Sequence, residues 1–488
     1  MSGLSQLPAR RADASPAQVL VIVCAGVVLA SLDLFIVNVA LPDIARDLHT
    51  SSLGDLSWVL NGYAIVYAAM LVVFGRLSES RRRENGFLVG VIVFTAASAA
   101  CGAASSLTML VVFRLVQAAG AALLTPTSLS LVLATAAPER RQSSVRAWTA
   151  VGGLAAALGP VVGGVLVAAS WRWVFLVNVP IGIAAVAIGW RRLPQVPGHP
   201  VPRPDALGAV LVTAGVAALT LGLVKGNDWG WASVATLTAL IGAVVALSLF
   251  ALHCARHPNP LIDAGLFRVR AFSGSSVVAL AFSVAFGAML LSVVLWDQQV
   301  WGWSALSTGL AVAPGPLMVP LFGFLVAGRL IARLGPGAVI AAGASVFAAG
   351  VAWWALAAGL RPDYAGEMLG GMLLTGAGVG LTLPTFMATA ASALPPQSFA
   401  TGSAVVNMLR QVGLAVGVAV LVAVIGTPHT PDGELTAFRN GWIVIAATAL
   451  LAAAAGGVLL GLRPPRPGRE SARLSAAAAT PRAAPEPR

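Results

Sequence analysis

The chain has 488 residues, of which 58% are hydrophobic and 10% are charged, and its formal net charge is +12. This composition excludes an ordinary soluble domain, which keeps about a quarter of its residues charged. The basic residues are spread over the ends of apolar segments instead of being grouped in one soluble region, so the charge does not indicate a nucleic-acid-binding protein. We expect anionic lipid headgroups to be the neighbours of these residues.

Apolar stretches of about 18–25 residues, each long enough to cross a bilayer as a helix, repeat along nearly the whole chain. We predict an all-α membrane protein with fourteen spans. They lie at residues 18–40, 56–75, 87–104, 108–131, 147–168, 173–190, 206–224, 232–252, 273–294, 308–328, 337–358, 366–390, 404–426 and 441–462.

The distribution of basic residues orients these spans. Of the 30 Lys and Arg residues, about 23 lie before the first span, after the last span or in even-numbered connections, and about five lie in odd-numbered connections. Cytoplasmic loops carry the excess of Lys and Arg. Both termini are therefore predicted to be cytoplasmic, which requires an even number of spans. Arg outnumbers Lys 29 to one, a composition typical of a GC-rich bacterial genome, so we expect the membrane to be that of a bacterial cell.

Features of enzymes and ATP-driven pumps are missing from the sequence. It contains no Gly-x4-Gly-Lys-[Ser/Thr] phosphate-binding loop and no soluble catalytic domain. We expect no cofactor and no metal, because the cysteines have neither disulfide nor metal-ligand spacing and the histidines form no predicted cluster. These residues are Cys24, Cys101, Cys254, His49, His199, His253, His257 and His429.

Two pairs of short motifs indicate an internal duplication. Gly75-Arg76-Leu77 recurs as Gly328-Arg329-Leu330, and Gly159-x-x-x-Gly163 recurs as Gly413-x-x-x-Gly417 at nearly the same offset. Duplicated halves are common in transporters. We predict a tail at 1–17, a six-helix bundle at 18–192, a linker with two extra helices at 193–256, a second six-helix bundle at 257–462 and a disordered tail at 463–488.

The first span contains Asp33, and the fourth contains Arg114 and Gln117 on one helical face. Charged groups inside apolar helices are costly unless they are paired, neutralised or in contact with water. Asp33 is therefore a candidate proton carrier, with a purely structural carboxylate as the alternative. Arg114 is a candidate partner, with an arginine that reaches the membrane edge as the alternative. Protonation of Asp33 would weaken such a pair and shift the conformation.

Glycines and a proline mark the fifth span as a closely packed, bent helix, with ordinary tight packing as the alternative to a role in rocking of the halves. The turn after the second span is dense in charge and is a candidate cytoplasmic gate as well as a topology signal. The residues predicted for gating and helix packing are Gly75, Arg76, Glu79, Arg83, Gly153, Gly159, Pro160, Gly163 and Gly164.

Polar residues in two later spans are candidates for the substrate pathway. Asn407 and Arg410 are three residues apart in the thirteenth span and place one polar face inward, with an edge anchor as the alternative for Arg410. Asp297 lies at the outer end of the ninth span. It would line an outer vestibule or attract a cationic substrate, or else it is a solvated rim residue.

These motifs, in this order, resemble the major facilitator superfamily and its fourteen-helix drug:proton antiporter branch, over about residues 18–462. The Leu-Asp-x-x-x-Val-Asn-Val-Ala-Leu-Pro run from Leu32 is similar to the first-helix motif of that branch and includes Asn38. Arg114, Gln117 and Gly120 are similar to its fourth-helix motif. The glycines and proline of the fifth span, the segment 171–182 and the segment around Asn407 are typical of it as well.

The sequence departs from the family pattern in the loop after the second span. Glu79 stands where the family has Asp, Arg82 stands where it has Gly, and Glu84 stands where it has a basic residue. In the fourth span, Ala118 stands where Gly is usual. Because Arg82 replaces the glycine, the tight turn that glycine permits in this loop is in doubt.

The resemblance implies a proton-coupled antiporter that exports small amphipathic or cationic compounds by alternating access. It also implies that the protein is not an enzyme. Asp33 and Arg114 are implied to couple protons, and Asn38, Gln117, Asp297, Asn407 and Arg410 to lie along the substrate pathway. A monomer is expected, because one chain holds both bundles. The alternatives are a dedicated exporter of an endogenous metabolite or self-made antibiotic, and a non-transporting sensor.

Overall fold

A computed structural model of the chain describes residues 15–50, 52–80, 82–198, 204–394, 399–428 and 430–462. The predicted tails therefore fall almost entirely outside the described residues. The described part contains thirteen helices long and apolar enough to cross a membrane, or fourteen when one bent pair is counted as a single span. Each of the fourteen predicted segments coincides with one of these, so the all-α membrane class is confirmed.

We number the fourteen spans in chain order. Their bounds are α1 Pro16–Asp47, α2 Leu53–Ser80, α3 Arg83–Gly102, α4 Leu107–Thr135, α5 Arg141–Ala169, α6 Trp173–Arg192, α7 Ala206–Trp229, α8 Val234–Arg256, α9 Arg270–Val300, α10 Ala305–Leu334, α11 Pro336–Ala357, α12 Tyr364–Ser392, α13 Phe399–Ile425 and α14 Pro431–Leu460. Short 3-10 turns lie at Pro138–Arg140 and Ala264–Arg268. Because the number of crossings is even, α1 begins and α14 ends on one side, here called the termini side. The opposite side is called the far side.

Proline and π-helical turns interrupt several spans. In α5 the segments Ser143–Ala156 and Leu158–Ala169 meet at 41°. Pro160 accounts for this bend, because its ring nitrogen has no hydrogen to donate to the carbonyl four residues earlier. In α10, Pro314 and Pro320 precede a π-helical turn at Leu321–Val326. The predicted bend in the fifth span is confirmed, whereas the break in α10 was not predicted.

The helices pack as two groups with contacts between them. In the first group α1 packs on α5 and α3 packs on α4; in the second α9 packs on α13 and α11 packs on α12 and α14. Between the groups, α2 packs on α13 and α5 packs on the first part of α10. The inserted helices α7 and α8 pack on each other, and α7 also contacts α2 and α13. It does so through a Lys225–Asp55 ion pair of 2.7 Å and a hydrogen bond of 2.8 Å from Asn227 to the Ala423 carbonyl.

Glycines let the two corresponding helix pairs approach closely. A Cβ at Gly159 or Gly163 in α5 would lie 2.7 Å from Phe35 Cβ or 3.0 Å from the Ile36 carbonyl oxygen in α1. A Cβ at Gly413 in α13 would lie 2.6 Å from the Leu280 carbonyl oxygen in α9, and one at Gly417 would collide with the Val284 carbonyl oxygen. The motifs that suggested a duplication therefore make the same kind of contact in both halves. The duplication and the proposed domain bounds remain predictions.

We expect Gly417→Ala to destabilise the protein by about 1–3 kcal/mol, because the added methyl group overlaps a backbone atom of α9. Thermal unfolding of the purified protein in detergent measures this change. Gly242→Ala in α8 is the matched control, because a Cβ there meets no atom within 4 Å. Equal unfolding temperatures for the two variants would show that α9 and α13 are not in close contact at this point.

Candidate proton-coupling site and central cleft

Asp33 and Arg114 form a fully buried ion pair, with Arg114 Nη1 2.5 Å from Asp33 Oδ2 and both side chains 0% exposed. Gln117 connects the two: its amide nitrogen donates to Asp33 Oδ1 at 2.8 Å, and its oxygen accepts from Arg114 Nη1 at 2.7 Å. The juxtaposition expected from the sequence is therefore found. The alternative for Arg114, an arginine that reaches the membrane edge, does not apply, because its guanidinium reaches a carboxylate inside the bundle. The proton-carrying role of Asp33 stays a prediction.

Two polar residues that the sequence analysis did not assign to the site complete the network. Asn178 of α6 donates to Asp33 Oδ1 at 3.2 Å and to Ser98 Oγ at 3.0 Å. Ser98 of α3 also accepts from Gln117 at 3.1 Å and donates to the Phe175 carbonyl at 2.9 Å. Asn178 stood inside a motif already noted as typical of the family. Ser98 carried no signal, because single serines are common in membrane helices.

The remaining contacts of Arg114 come from α2 and from the ring of Phe175 in α6, whose centroid lies 5.7 Å from the guanidinium carbon. Its Nε donates to the Val59 carbonyl at 3.2 Å, and its guanidinium carbon lies 4.1 Å from the ring centroid of Tyr63. Nη2 of Arg114 is buried and has no hydrogen-bond acceptor among the described residues. Five helices thus surround one ion pair, and the guanidinium keeps one unused donor.

A cleft between the two groups of helices reaches Arg114. Its walls come from α1, α2, α4, α9 and α13, and most of the lining is apolar. The lining residues are Leu34, Phe35, Asn38, Leu60, Asn61, Ala64, Arg114, Gly287, Leu290, Leu414, Ala415 and Val418. Asn38 of the predicted pathway lies here. Asn61, which the sequence analysis missed, is 0% exposed, and its Oδ1 has no hydrogen-bond donor among the described residues.

The other predicted pathway residues lie apart from the ion pair. Asn407 is part-buried and donates to the Ser403 carbonyl of its own helix at 3.0 Å. Arg410 is part-buried, and its Nε has no acceptor in the described part of the chain. Asp297 is only 1% exposed, which excludes the solvated rim residue allowed by the sequence.

The predicted gating residues behave differently from one another. Arg76 donates to the Asn259 and Pro260 carbonyls, at 3.4 and 2.6 Å, in the connection that follows α8. Arg83 donates to the Ser130 carbonyl of α4 at 3.3 Å. The side chain of Glu79 lies outside what the structure describes. A Cβ at Gly75 would meet no atom within 4 Å.

In α5, three of the four predicted glycines lie in close contact with another helix. A Cβ at Gly164 would lie 2.7 Å from the Ala305 carbonyl oxygen, and one at Gly309 of α10 would lie 2.5 Å from the Pro160 carbonyl oxygen. These contacts join the two halves on the far side. At Gly153 a Cβ would meet no atom within 4 Å in this conformation. The gating and packing roles of these residues stay predictions.

Two histidines and an aspartate form a cluster on the termini side, so the expectation that the histidines form no cluster was wrong. Ligand-type atoms of Asp205, His253 and His257 lie within 4.8 Å of one another. Both Asp205 oxygens, however, already accept hydrogen bonds: Oδ1 from the Gly208 N–H at 2.8 Å and from His253 Nε2 at 2.9 Å, and Oδ2 from the Leu261 N–H at 2.8 Å. Asp205 caps α7 and fixes the connection after α8, the same connection that binds Arg76.

Burial favours the protonated form of Asp205, but the hydrogen bonds from Gly208, His253 and Leu261 outweigh it, and the pKa of this carboxyl lies below its ordinary value. A depressed pKa means that the ionised form stabilises the fold. That contribution is complete above the ordinary pKa and is lost as the pH falls through the depressed one.

Residues 23–418 match the family model described as the Major Facilitator Superfamily. The chain belongs to the major facilitator superfamily. This confirms the predicted fold of two six-helix bundles with two inserted helices at the level of the superfamily, whose members move small molecules across membranes.

Similar proteins with assigned roles include antibiotic resistance and export proteins and a multidrug resistance protein. The chain is 33% identical to the tetracenomycin C resistance and export protein of Streptomyces glaucescens, over 86% of this chain and 78% of that protein. It is 34% identical to the cephamycin export protein of Amycolatopsis lactamdurans, over 88% and 89%. It is 32% identical to the multidrug resistance protein Stp of Mycobacterium tuberculosis strain H37Rv, over 82% and 74%.

Solved structures of other superfamily transporters share the fold. An auto-inhibited peptide transporter of the POT family superposes with a TM-score of 0.65 at 19% identity, over 91% of this chain and 96% of that one. A bacterial homologue of the lysosomal transporter Spinster, solved in an inward-facing conformation, gives a TM-score of 0.62 at 16% identity, over 91% and 96%. These likenesses establish the fold alone.

We expect Arg114→Leu to destabilise the protein by about 3–5 kcal/mol, because it leaves the Asp33 carboxylate buried without its cation. Adding Asp33→Asn in the same chain removes that charge and is expected to restore part of the loss. Thermal unfolding in detergent compares the two variants. A double variant less stable than Arg114→Leu would contradict this account of the pair.

We expect Asp205→Asn to lower the unfolding temperature at pH 7, and we expect the gap from the wild type to narrow as the pH falls below the ordinary aspartate pKa, because the contribution of the ionised carboxylate is lost as it is protonated. Thermal unfolding across this pH range measures the gap between the two proteins. Asp263→Asn is the control: this exposed aspartate caps a short turn through a single hydrogen bond to Gly265 N–H. A gap of constant size would show that the ionised Asp205 does not contribute.

Proposed function

We propose that this protein is a proton-coupled antiporter that exports small amphipathic or cationic compounds across a bacterial plasma membrane. The observation that carries the proposal is the buried Asp33–Arg114 pair at the wall of a mostly apolar cleft between the two bundles. The mostly apolar lining of this cleft is of the kind that holds amphipathic molecules, which bind through apolar surfaces and a few polar groups. Asn38 and Asn61 supply neutral hydrogen-bonding groups there.

In the proposed mechanism, a proton binds to Asp33 and removes its negative charge. The pair with Arg114 then weakens, and the guanidinium, which already has one unused donor, is free to seek other partners. Substrate and proton compete, because a cationic compound in the cleft is favoured when Asp33 is ionised and disfavoured when it is neutral. Rocking of the bundles carries the cleft from one side to the other.

The proposed orientation places the termini side in the cytoplasm. It rests on the excess of Arg in the tails and even-numbered connections. In this orientation the contacts of Gly164 with α10 and of Gln298 with the Val39 carbonyl close the outer side. We further propose that one chain, acting as a monomer with both bundles, forms the complete transport pathway.

Export of one self-made antibiotic is a second candidate, favoured by the named roles of two relatives, which export tetracenomycin C and cephamycin. A panel of compounds separates the two candidates. A polyspecific exporter responds to several unrelated cationic dyes and antibiotics, whereas a dedicated exporter responds to one compound class.

We expect Asp33→Asn to abolish proton release from inverted vesicles upon substrate addition, because the asparagine cannot bind a proton at this position. Quenching of a pH-sensitive dye during addition of cationic dyes and antibiotics measures this release. Asp43→Asn is the matched control in the same helix, where the part-exposed carboxylate pairs with the exposed Arg46 instead. If Asp33→Asn catalyses antiport at the normal rate, with an equal amount of protein in the membrane, Asp33 is not the proton-coupling residue.

A further inference from the structure

Asp297 is a second buried carboxylate, and its surroundings differ from those of Asp33. It lies in the π-helical turn that ends α9 and is 1% exposed. Neither of its carboxylate oxygens has a hydrogen-bond donor within the described part of the chain. None of the six ion pairs among the described residues includes it.

This environment determines the protonation state. An ionised carboxylate without cation, donor or water is so costly in an apolar site that the group becomes neutral instead. Asp33, by contrast, receives hydrogen bonds from Arg114, Gln117 and Asn178, and Arg114 supplies a compensating positive charge. The two buried carboxylates therefore differ in whether their surroundings can compensate a negative charge.

Aromatic residues pack next to the turn that carries Asp297. The adjacent Trp296 packs on Phe438 and Trp442 of α14, with ring centroids 5.3 and 5.0 Å apart. The backbone carbonyl of Asp297 accepts from the backbone N–H of Trp303 at 2.9 Å. In this conformation the Asp297 side chain is excluded from solvent.

Asp297 also lies next to a contact between the bundles. The following residue, Gln298, donates from Nε2 to the Val39 carbonyl of α1 at 3.0 Å. When the bundles separate on the far side this hydrogen bond breaks, and the turn that carries Asp297 becomes part of the opened surface. Closure and the hydration of Asp297 are therefore mutually exclusive.

No other ionisable group on the packed elements forms an ion pair or a side-chain hydrogen bond with Asp297 among the described residues. On α12, Tyr364 donates to the Ala311 carbonyl, and Glu367 accepts from the Gly359 N–H. On α14, Arg439 donates to the Ala358 carbonyl at 3.1 Å, and its Nε has no acceptor in the described part of the chain. On α1, Asp43 pairs with Arg46.

We propose that Asp297 is a proton-binding site that is occupied when the far side is closed and empties into the far-side solution when that side opens. On opening, the carboxyl O–H bond breaks, its proton passes to water, and the hydrated carboxylate remains. This inference rests on the proposed rocking of the bundles, but it does not depend on Asp33 or on any substrate. Because the proton returns to the side from which it came, Asp297 sets the pH dependence of closure without adding to the transported protons.

The test is a distance measurement on the purified full-length protein in lipid nanodiscs without substrate. Spin labels at Ser105→Cys and Ser307→Cys, both exposed on the far side, report the separation of the bundles after Cys24 and Cys254 are replaced by Ala. We expect the open-to-closed ratio to rise with pH, by up to about tenfold per pH unit for one proton. In Asp297→Asn, which is permanently neutral, we expect the part of that rise carried by Asp297 to be lost, so that the ratio responds less steeply to pH and stays closer to the closed state at high pH, while any part carried by Asp33 remains.

Two further variants make the outcome decisive. Asp363→Asn removes an exposed far-side carboxylate and is expected to keep the wild-type response. If Asp297→Asn fails to fold, the Asp297→Leu variant is measured in its place. A wild-type pH response in Asp297→Asn or Asp297→Leu, or no response in the wild type, would overturn the proposal. Because the measurement uses no substrate, these results are independent of whether Asp33→Asn loses transport.

Discussion

The ion pair of Asp33 and Arg114 is the interaction on which the rest of the first bundle depends. A guanidinium and a carboxylate that are both 0% exposed are tolerated when each neutralises the other and most of the remaining donors and acceptors are filled, as they are here except for Nη2 of Arg114. The filling groups come from α2, α3, α4 and α6, so these helices have to arrive in register around α1. The pair therefore fixes the interior of this bundle and at the same time lies beside the cleft.

The second bundle is stabilised differently. Among the described residues, no ion pair lies in the part of the chain after residue 256. Its largest fully buried side chains are instead aromatic, among them Trp296, Trp354 and Trp442. Its contribution to the cleft is apolar and includes Gly287 and Leu290. The related backbone contacts of Gly163 and Gly417 thus coexist with unlike interiors, one ionic and one aromatic.

The predictions from the sequence agree with the structure where the apolar bilayer itself imposes the constraint. The spans were predictable because the bilayer sets their length, and the pairing of Asp33 with Arg114 because two charges in apolar helices have few other ways to be neutralised. Ser98 was not predictable, since its role comes from three helices meeting at one point. The burial of Asp297 and the Asp205–His253 contact could not be predicted for the same reason, because the residues around them are distant in sequence. In addition, the sequence around a carboxylate near a helix end is equally compatible with a solvent-exposed side chain.

The inserted helix α7 constrains how the bundles can move. It is bonded to α2 through Lys225 and Asp55 and to α13 through Asn227 and the Ala423 carbonyl, both near its far-side end. If α2 and α13 separate there, one of these contacts has to break. Asp55 is 46% exposed, so its pair is worth only about 1 kcal/mol or less, and a hydrogen bond contributes a similar amount. That cost is of the size by which two conformations of a transporter differ. The insertion therefore biases the equilibrium towards the closed far side without locking it, and it acts together with a neutral Asp297 on the same equilibrium.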